Sequence, residues 1–221
     1  MDGAFKSGET ETLQAALREL FAADPDLAHA REVAGALPDR RRPEGFASLT
    51  MLIVEQQVSI ASARAIWGRI KGGLGEVTAE RIGACSDDEL RAFGLSRPKV
   101  RYCRALADVV LAGDFSFDDL AGLDDDAAMV RLMALKGIGR WTAEVYLLFA
   151  LGRGDIFPAG DVALQAAAQD VKKLQARPTA DELYGIADLW RPHRGIAAQL
   201  LWRYYGVTRG RADPVSVSAL R

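Results

Sequence analysis

Apolar residues recur at spacings of three and four through most of the chain, a pattern typical of amphipathic helices that bury one face. The segments with this pattern are TLQAALRELFAA (12–23), FASLTMLIVEQ (46–56), ASARAIWGRIKGG (61–73), RYCRALADVVLAG (101–113), WTAEVYLLFALG (141–152), VALQAAAQDVKKL (162–174) and IAAQLLWRYYG (196–206). Nowhere do apolar and polar residues alternate between hairpin turns, so strands are not expected. The pattern predicts an all-α protein.

Short local signals mark further helices and the gaps between them. Ser86 and Glu89 form a capping-box pattern before LRAF, and the glycine after LRAF is placed to end that helix. Another short helix is expected over residues 126–134. The segment RRRPEG (40–45) is predicted to be a basic connector, and the first nine residues are expected to be loose.

The composition is that of an ordinary soluble globular protein, with 49% apolar and 26% charged residues among 221. The net charge of −2 hides an asymmetry, because residues 1–130 carry 15 basic and 22 acidic side chains whereas residues 131–221 carry 13 and 8. A basic face that meets nucleic acid fits this asymmetry, and so does a soluble protein with unevenly scattered charge. Charge alone leaves both interpretations open.

Cysteine and histidine are too few for several classes of site. The chain has Cys85, Cys103, His29 and His193, whose spacing fits neither a zinc site, nor an iron–sulfur cluster, nor a disulfide framework. Both cysteines are predicted to be buried apolar residues. The sequence contains no signal-peptide core and no apolar run long enough to span a bilayer, which predicts a cytoplasmic protein.

The stretch LKGIGRWTAEV (135–145) places two glycines, Gly137 and Gly139, directly before an apolar helical pattern. Glycine lacks a Cβ and adopts positive φ readily, so another backbone can approach such a turn closely. The first N–H groups of the following helix point outward at the positive end of its dipole, which suits a phosphate. Lys136 and Arg140 flank this end with positive charge. A tight helix–helix corner without a ligand explains the same letters equally well.

This stretch resembles the hairpin of the helix-hairpin-helix DNA-binding motif. FPAGD follows it at residues 157–161, so that Asp161 lies 22 positions after Gly139. The further matching segments are EQQVS (55–59) with the small-residue helix after it, GLSRPKVRY (94–102) and WRPHRGIAAQLLW (190–202). In this order the segments resemble the helix-hairpin-helix (HhH-GPD) DNA glycosylase superfamily, and within it the DNA-3-methyladenine glycosylase II family. The resemblance extends over residues 45–205.

The resemblance implies two helical lobes with the active cleft between them. The implied division is a set of N-terminal helices at 1–44, a central lobe with the hairpin at 45–155, and a C-terminal part at 156–221 that packs with the N-terminal helices. The implied activity is that of a monofunctional DNA glycosylase, which flips alkylated bases such as 3-methyladenine out of the duplex and excises them in base excision repair.

The implied partner is double-stranded DNA that contains alkylated bases, bound by a monomer associated with the bacterial nucleoid. Lys136, Gly137, Gly139 and Arg140 are the expected DNA-binding residues. No organic cofactor and no metal site made by side chains are expected, while the resemblance allows a monovalent cation at the backbone carbonyls of the hairpin.

Asp161 is the catalytic residue that the resemblance implies. From its position alone, after a Pro/Gly loop and before VALQAAAQDVKKL, it is a good helix N-cap. The two interpretations are compatible, because a carboxylate held at a helix start can offset the positive charge of an oxocarbenium-like transition state. Such a carboxylate can also orient or deprotonate the attacking water.

A cationic alkylated base favours an aromatic pocket, through stacking and cation–π contact. Trp141 is the first choice, followed by Tyr146 and Phe157, for which a place in the core is the alternative. His193 stands where relatives often have a larger aromatic residue. It is expected to stack on the base or to bond to Asp161, or else to be a neutral structural histidine. The remaining tryptophans are predicted core residues: Trp67, Trp190 and Trp202.

A side chain must fill the gap that a flipped nucleotide leaves in the duplex. The resemblance places this wedge in the EQQVS turn, which makes Gln56 and Gln57 the candidates. The alternative is that both residues only end the helix before them.

Two other functions fit parts of the sequence. A non-catalytic helix-hairpin-helix DNA-binding module needs the hairpin but has no need of Asp161. A bifunctional glycosylase–lyase acting on oxidised bases needs a nucleophilic lysine. Relatives of that type carry this lysine two residues after the second hairpin glycine, where this chain has Trp141.

Overall fold

The structure, a computed structural model, describes residues 10–210. The prediction for the first nine residues lies outside this range. No strand occurs within the described chain, which confirms the all-α prediction. Its α-helices are α1 Glu11–Ala23, α2 Pro25–Ala34, α3 Phe46–Glu55, α4 Ile60–Leu74, α5 Ala79–Ala84, α6 Asp87–Ala92, α7 Arg97–Leu111, α8 Phe117–Ala121, α9 Asp125–Met133, α10 Arg140–Phe149, α11 Val162–Val171, α12 Ala180–Ala187 and α13 Arg194–Thr208, with a 3-10 turn at Asp188–Trp190.

Most of these helices begin at a Ser, Thr or Asp whose side chain accepts a hydrogen bond from a backbone N–H of the first turn. The predicted capping box is formed, with the Glu89 amide donating to Ser86 Oγ at 3.2 Å and the Ser86 amide donating to Glu89 Oε2 at 2.7 Å. Thr179 and Glu182 form a second capping box, at the start of α12. The polar residues between the segments of apolar periodicity therefore determine where many helices start.

One compact unit, unit 1, contains residues 10–40 and 153–210 of the described chain. In it α13 packs on α2 and α11, and α1 packs on α2. The buried carboxylate of Asp24 caps α2, and it accepts hydrogen bonds from Trp190 Nε1 at 2.9 Å and from Lys172 Nζ at 2.8 Å. Trp190 and Trp202 are buried, as predicted.

The other compact unit, unit 2, contains residues 41–152. Its centre is α3, which packs on α4, α7 and α10. Residues 48–54 of α3 and 142–149 of α10 are buried without a break, and Trp67 is buried as predicted. Since a fully buried Val, Leu or Ile side chain contributes roughly 1.5–3 kcal/mol, these two helices supply much of the stability of unit 2.

Two of the three arginines in the predicted basic connector are buried. Arg40 lies 5.5 Å from the centroid of the Trp202 ring within unit 1. In unit 2, Arg42 Nη2 donates to both carboxylate oxygens of Glu55 at 3.1 and 3.0 Å, and the Arg42 amide donates to the Phe149 carbonyl at 2.8 Å. Burial raises the pKa of Glu55, against the opposing effect of the Arg42 guanidinium. These arginines are therefore structural residues, and only Arg41 is exposed.

The two cysteines differ in burial. Cys103 is buried in α7, as predicted, and burial raises the pKa of its thiol to about 12. The prediction is wrong for Cys85, which is only half-buried because it lies at the C-terminal end of the short helix α5. Its thiol donates to the Arg81 carbonyl at 3.2 Å.

Candidate functional site

The hairpin predicted from LKGIG joins α9 to α10. A hydrogen bond from the Ile138 amide to the Leu135 carbonyl, 3.1 Å long, closes the turn. Gly139 is the N-cap of α10 and has no side chain that could accept from the first amides of this helix. Lys136 and Arg140 are exposed on either side, and Arg140 Nη1 lies 3.5 Å from Glu144 Oε1. A helix start without a side-chain cap, between two exposed cations, suits a phosphate.

The two hairpin glycines have different structural roles. Gly137 has a φ of +86°, and a Cβ at this position would overlap the ring of Tyr102. Gly139 has a φ of −88° and a ψ of 173°, so it does not use the positive φ that glycine adopts readily. The reason is that Gly139 is an N-cap, a position that takes extended backbone. Apart from Gly139 and its two chain neighbours, no heavy atom of the described residues lies within 4 Å of the place that a Cβ on Gly139 would take.

The wedge candidates Gln56 and Gln57 point to different roles. Gln56 Nε2 donates to the Gly137 carbonyl at 3.0 Å and to Thr142 Oγ1 at 3.1 Å, so its side chain is half-buried against the hairpin. Gln57 is exposed and has a φ of +55°, a left-handed conformation that is uncommon for a residue other than glycine. Of the two wedge candidates, Gln57 is therefore the one whose side chain is exposed.

The two aromatic candidates on α10, Trp141 and Tyr146, differ in burial. Trp141 is half-buried in the first turn of the helix. Tyr146 is fully buried, its ring lies 6.0 Å from the ring of Phe117, and its hydroxyl accepts a hydrogen bond from the Gly45 amide at 2.9 Å. Burial raises the pKa of Tyr146 to about 12. A ring without an exposed face cannot stack on a base, so Tyr146 is placed in the core of unit 2, the alternative considered for it.

Asp161 is the N-cap of α11. Its Oδ1 accepts hydrogen bonds from the Ala163 amide at 2.8 Å and the Leu164 amide at 3.1 Å, and its own amide donates to the Pro158 carbonyl at 2.9 Å. The residue is half-buried. These bonds hold a carboxylate in one orientation at the positive end of a helix, where solvent still reaches it.

The loop that leads to Asp161 is held by a partly exposed ion-pair cluster that no sequence pattern predicted. Asp155 accepts from Arg194 Nε at 2.9 Å and from Arg191 Nη1 at 2.7 Å, and the Gly195 amide donates to the Gly154 carbonyl at 2.9 Å. The arginines of WRPHR thus hold the loop through Asp155. The available signal was the pair of aspartates in DIFPAGD, but charges 36 and 39 residues apart do not indicate a pair by themselves.

Phe157 and His193, the remaining pocket candidates, both have partners within unit 1. The Phe157 ring is buried and meets the Trp190 ring edge-on, with centroids 5.5 Å apart, so Phe157 belongs to the core. His193 Nε2 lies 2.8 Å from Glu19 Oε2, and the histidine side chain is 24% exposed. Of the alternatives considered for His193, the bond to Asp161 is not the one that its Nε2 makes, because α1 brings the Glu19 carboxylate to this nitrogen.

Within residues 10–210 no three His, Cys, Asp or Glu side chains are grouped so that they could hold a metal ion. Over the same range, no helix combines the length and the apolar character that crossing a membrane requires.

Comparison with known proteins places the chain in a family of DNA repair proteins. Residues 50–192 match the family described as HhH-GPD superfamily base excision DNA repair protein. Over 198 residues the chain is 35% identical to a probable bifunctional transcriptional activator/DNA repair enzyme AlkA of Mycobacterium tuberculosis, an alignment that covers 85% of this chain. The chain spans only 39% of the length of that relative.

Two solved structures have the same fold over nearly their whole length. The 3-methyladenine DNA glycosylase of Schizosaccharomyces pombe in complex with abasic DNA has a TM-score of 0.79 at 27% identity, covering 90% of this chain and 98% of that one. A DNA-3-methyladenine glycosidase of Bacillus halodurans has a TM-score of 0.78 at 32% identity, covering 98% and 97%.

Proposed function

The chain belongs to the HhH-GPD superfamily of base excision DNA repair proteins, and from this premise we propose that it is a DNA glycosylase which excises alkylated bases such as 3-methyladenine from double-stranded DNA. The observation that carries the proposal is the carboxylate of Asp161, fixed at the start of α11 on an anchored loop. Relatives named DNA-3-methyladenine glycosylase support the choice of alkylated bases.

Asp161 is the proposed catalytic residue. Cleavage of the N-glycosidic bond places positive charge on the sugar around C1′, and a carboxylate beside the sugar offsets that charge. Asp161 also orients or deprotonates the water that attacks C1′. An N-alkylated purine is cationic before cleavage and leaves as a neutral base, so modest chemical assistance is sufficient once the nucleotide has left the duplex.

The hairpin is the proposed contact with the DNA backbone. The first amides of α10 and the exposed side chains of Lys136 and Arg140 bind one phosphate, without reading the base sequence. Gln57 is the proposed wedge, because it is exposed while Gln56 is engaged with the hairpin.

Trp141 is the proposed stacking partner of the alkylated base. Among the Trp, Tyr and Phe candidates it is the one that is not buried in a core, and a cationic base gains from contact with an indole face. Trp141 also stands in place of the lysine that a lyase would use to form a Schiff base. The proposed product is therefore an intact abasic site, and the enzyme is monofunctional.

The resemblance also allows a monovalent cation at the hairpin carbonyls. The Gly137 carbonyl accepts one hydrogen bond from Gln56, which leaves its second lone pair for such an ion or for water. We place no step of the reaction on this ion, and no organic cofactor is part of the proposal.

A methylated duplex labelled on one strand tests the function. The released bases are identified by chromatography, and the labelled strand is run on a denaturing gel with and without alkali. We expect free N-alkylated purines, with strand breaks only after alkali. Breaks without alkali, together with a complex trapped by borohydride, would indicate a glycosylase–lyase. Tight binding without base release would indicate a non-catalytic DNA-binding module.

A further inference from the structure

One side chain connects the turn between α3 and α4 to the hairpin. Gln56 Nε2 donates to the Gly137 carbonyl at 3.0 Å and to Thr142 Oγ1 at 3.1 Å. A carbonyl oxygen carries no hydrogen, so only the NH₂ end of Gln56 can face Gly137, and this determines the orientation of the amide. The C-terminal end of α3 is thereby bonded both to the hairpin turn and to the first turn of α10.

Helix α7 also contacts both the C-terminal end of α3 and the hairpin. Lys99 and Tyr102 are three residues apart and therefore lie on one face of α7. The buried Lys99 Nζ donates to the Val54 carbonyl in the last turn of α3, at 2.7 Å, and the Tyr102 ring lies against Gly137 of the hairpin. The motif GLSRPKVRY thus supplies a rigid support behind the contact that Gln56 makes.

The residue that follows Gln56 needs such support. Gln57 has a φ of +55°, in a region where a side chain of ordinary handedness is disfavoured. Residues in this region persist where the surrounding structure holds them, and they concentrate at functional sites. Gln57 is held from its N-terminal side, where Lys99 binds the Val54 carbonyl and the side-chain amide of Gln56 binds the hairpin.

We propose that Gln56 is a positioning residue that couples the hairpin to Gln57. Its amide transmits the position of Gly137 and Thr142 to the turn, so that a phosphate bound at the hairpin determines where the Gln57 side chain enters the duplex. Gln56 acts through Gln57 and not on the base itself. The inference rests on the proposed function and names a residue through which the hairpin and the wedge act together.

Gln56→Met tests the coupling, because methionine is similar in size and donates no hydrogen bond. Single-turnover excision is measured on two duplexes that carry the same N-alkylated purine, one with the lesion paired and one with it opposite a mismatched base. Since flipping is easiest for a mismatched base, we expect about a tenfold loss on the paired lesion and at most about a twofold loss on the mismatched one. Equal losses on both duplexes would overturn the proposal, because a purely structural defect does not distinguish them.

A double-mutant cycle provides the second measurement. If Gln56 acts through Gln57, then the variant that combines Gln56→Met with Gln57→Ala excises at the rate of Gln57→Ala alone. Losses that multiply would mean that the two glutamines act independently, and would overturn the coupling.

Two further variants complete the design. Thr142→Val keeps the shape of the side chain and removes one of the two acceptors, so it should give a smaller loss with the same preference for the mismatched lesion. If Gln56→Met does not fold, the coupling is tested with Thr142→Val instead. Gln175→Met, at an exposed position in unit 1, makes the same chemical change and should excise like the wild type. Wild-type protein that releases no base overturns the proposed function and the coupling together, whereas active wild type with unaffected variants overturns the coupling alone.

Discussion

Arg194 binds Asp155 through three hydrogen bonds: Nε to Oδ1 at 2.9 Å, Nη2 to Oδ2 at 3.1 Å, and Nη2 to the backbone carbonyl at 2.6 Å. The two side chains are 14% and 23% exposed, so solvent screens the pair only in part. Asp155→Asn should lower the free energy of unfolding by about 2 kcal/mol, the scale of a hydrogen bond to a charged group. It should also slow excision about tenfold or more, because the loop that carries Asp161 loses its anchor.

Urea denaturation and single-turnover excision measure the two effects. Asp188→Asn is the matched control, because Asp188 pairs with the same two arginines, Arg191 at 3.2 Å and Arg194 at 3.8 Å, but its side chain is 65% exposed. Exposed pairs contribute about 0–1 kcal/mol, so this variant should remain close to wild type. The loop-anchoring role would be contradicted if both variants lost the same activity and stability.

Asp161→Asn should abolish excision and leave folding and DNA binding intact. Asparagine caps a helix as well as aspartate does, so the bonds to the Ala163 and Leu164 amides are kept while the negative charge is lost. Asp161→Ala, which also removes the cap, should in addition unfold more readily, by about 0.5–2 kcal/mol. Thermal melting, DNA binding and single-turnover excision separate the two. Near-normal excision by Asp161→Asn would remove Asp161 from the mechanism.

The two hairpin glycines should respond differently to substitution. Gly137→Ala should destabilise the protein by about 2 kcal/mol or more, because the left-handed backbone costs about 1–2 kcal/mol and the new Cβ meets the Tyr102 ring. Gly139→Val should fold normally, since its φ of −88° suits valine, and yet should weaken DNA binding about tenfold by occupying the helix start. Melting and affinity at fixed low salt are the measurements. Unchanged DNA affinity of the Gly139→Val variant would show that the hairpin is a structural turn that binds no phosphate.

Lys136→Ala should weaken binding to damaged and undamaged duplexes equally, because a phosphate contact carries no base information. The slope of log affinity against log salt should fall by about one unit. Lys71→Ala is the control, because it removes the same charge from another exposed position. Lys71 lies in the last turn of α4, about 16 Å along this helix from Ile60, its first residue. A change in preference between damaged and undamaged DNA would place Lys136 near the base instead.

The helical framework could be predicted from the sequence where an apolar stripe is long. The segments that became α3, α4, α7, α10, α11 and α13 each continue the stripe over ten or more residues. Helices as short as α5 and α8, with six and five residues, offer too few positions for a period to be recognised. Their starts were still marked, by Thr78 and Ser116, which cap them.

The candidate site was predictable in its backbone and less so in its side chains. The segments LKGIG and FPAGD indicate a turn and a helix cap, because glycine favours turns and aspartate favours the N-cap position of helices. Whether an aromatic residue faces a core or a pocket depends on distant partners, and this is why the sequence left both possibilities open for Tyr146 and Phe157. The choice between Gln56 and Gln57 depends on the contacts of Gln56 with Gly137 and Thr142, more than 80 positions along the chain, which no local pattern reveals.

Unit 1 is made from both ends of the described chain, and unit 2 from the stretch between them. Asp24 is separated from Lys172 by 148 positions and from Trp190 by 166. Because the ribosome releases the N-terminal part first, α1 and α2 emerge long before α11 and α13 have been translated. The helices of unit 2 follow one another without interruption and can pack during synthesis. Helices α1 and α2 thus reach their partners α11 and α13 only after unit 2 has been translated, and their apolar faces are accessible to chaperones until then.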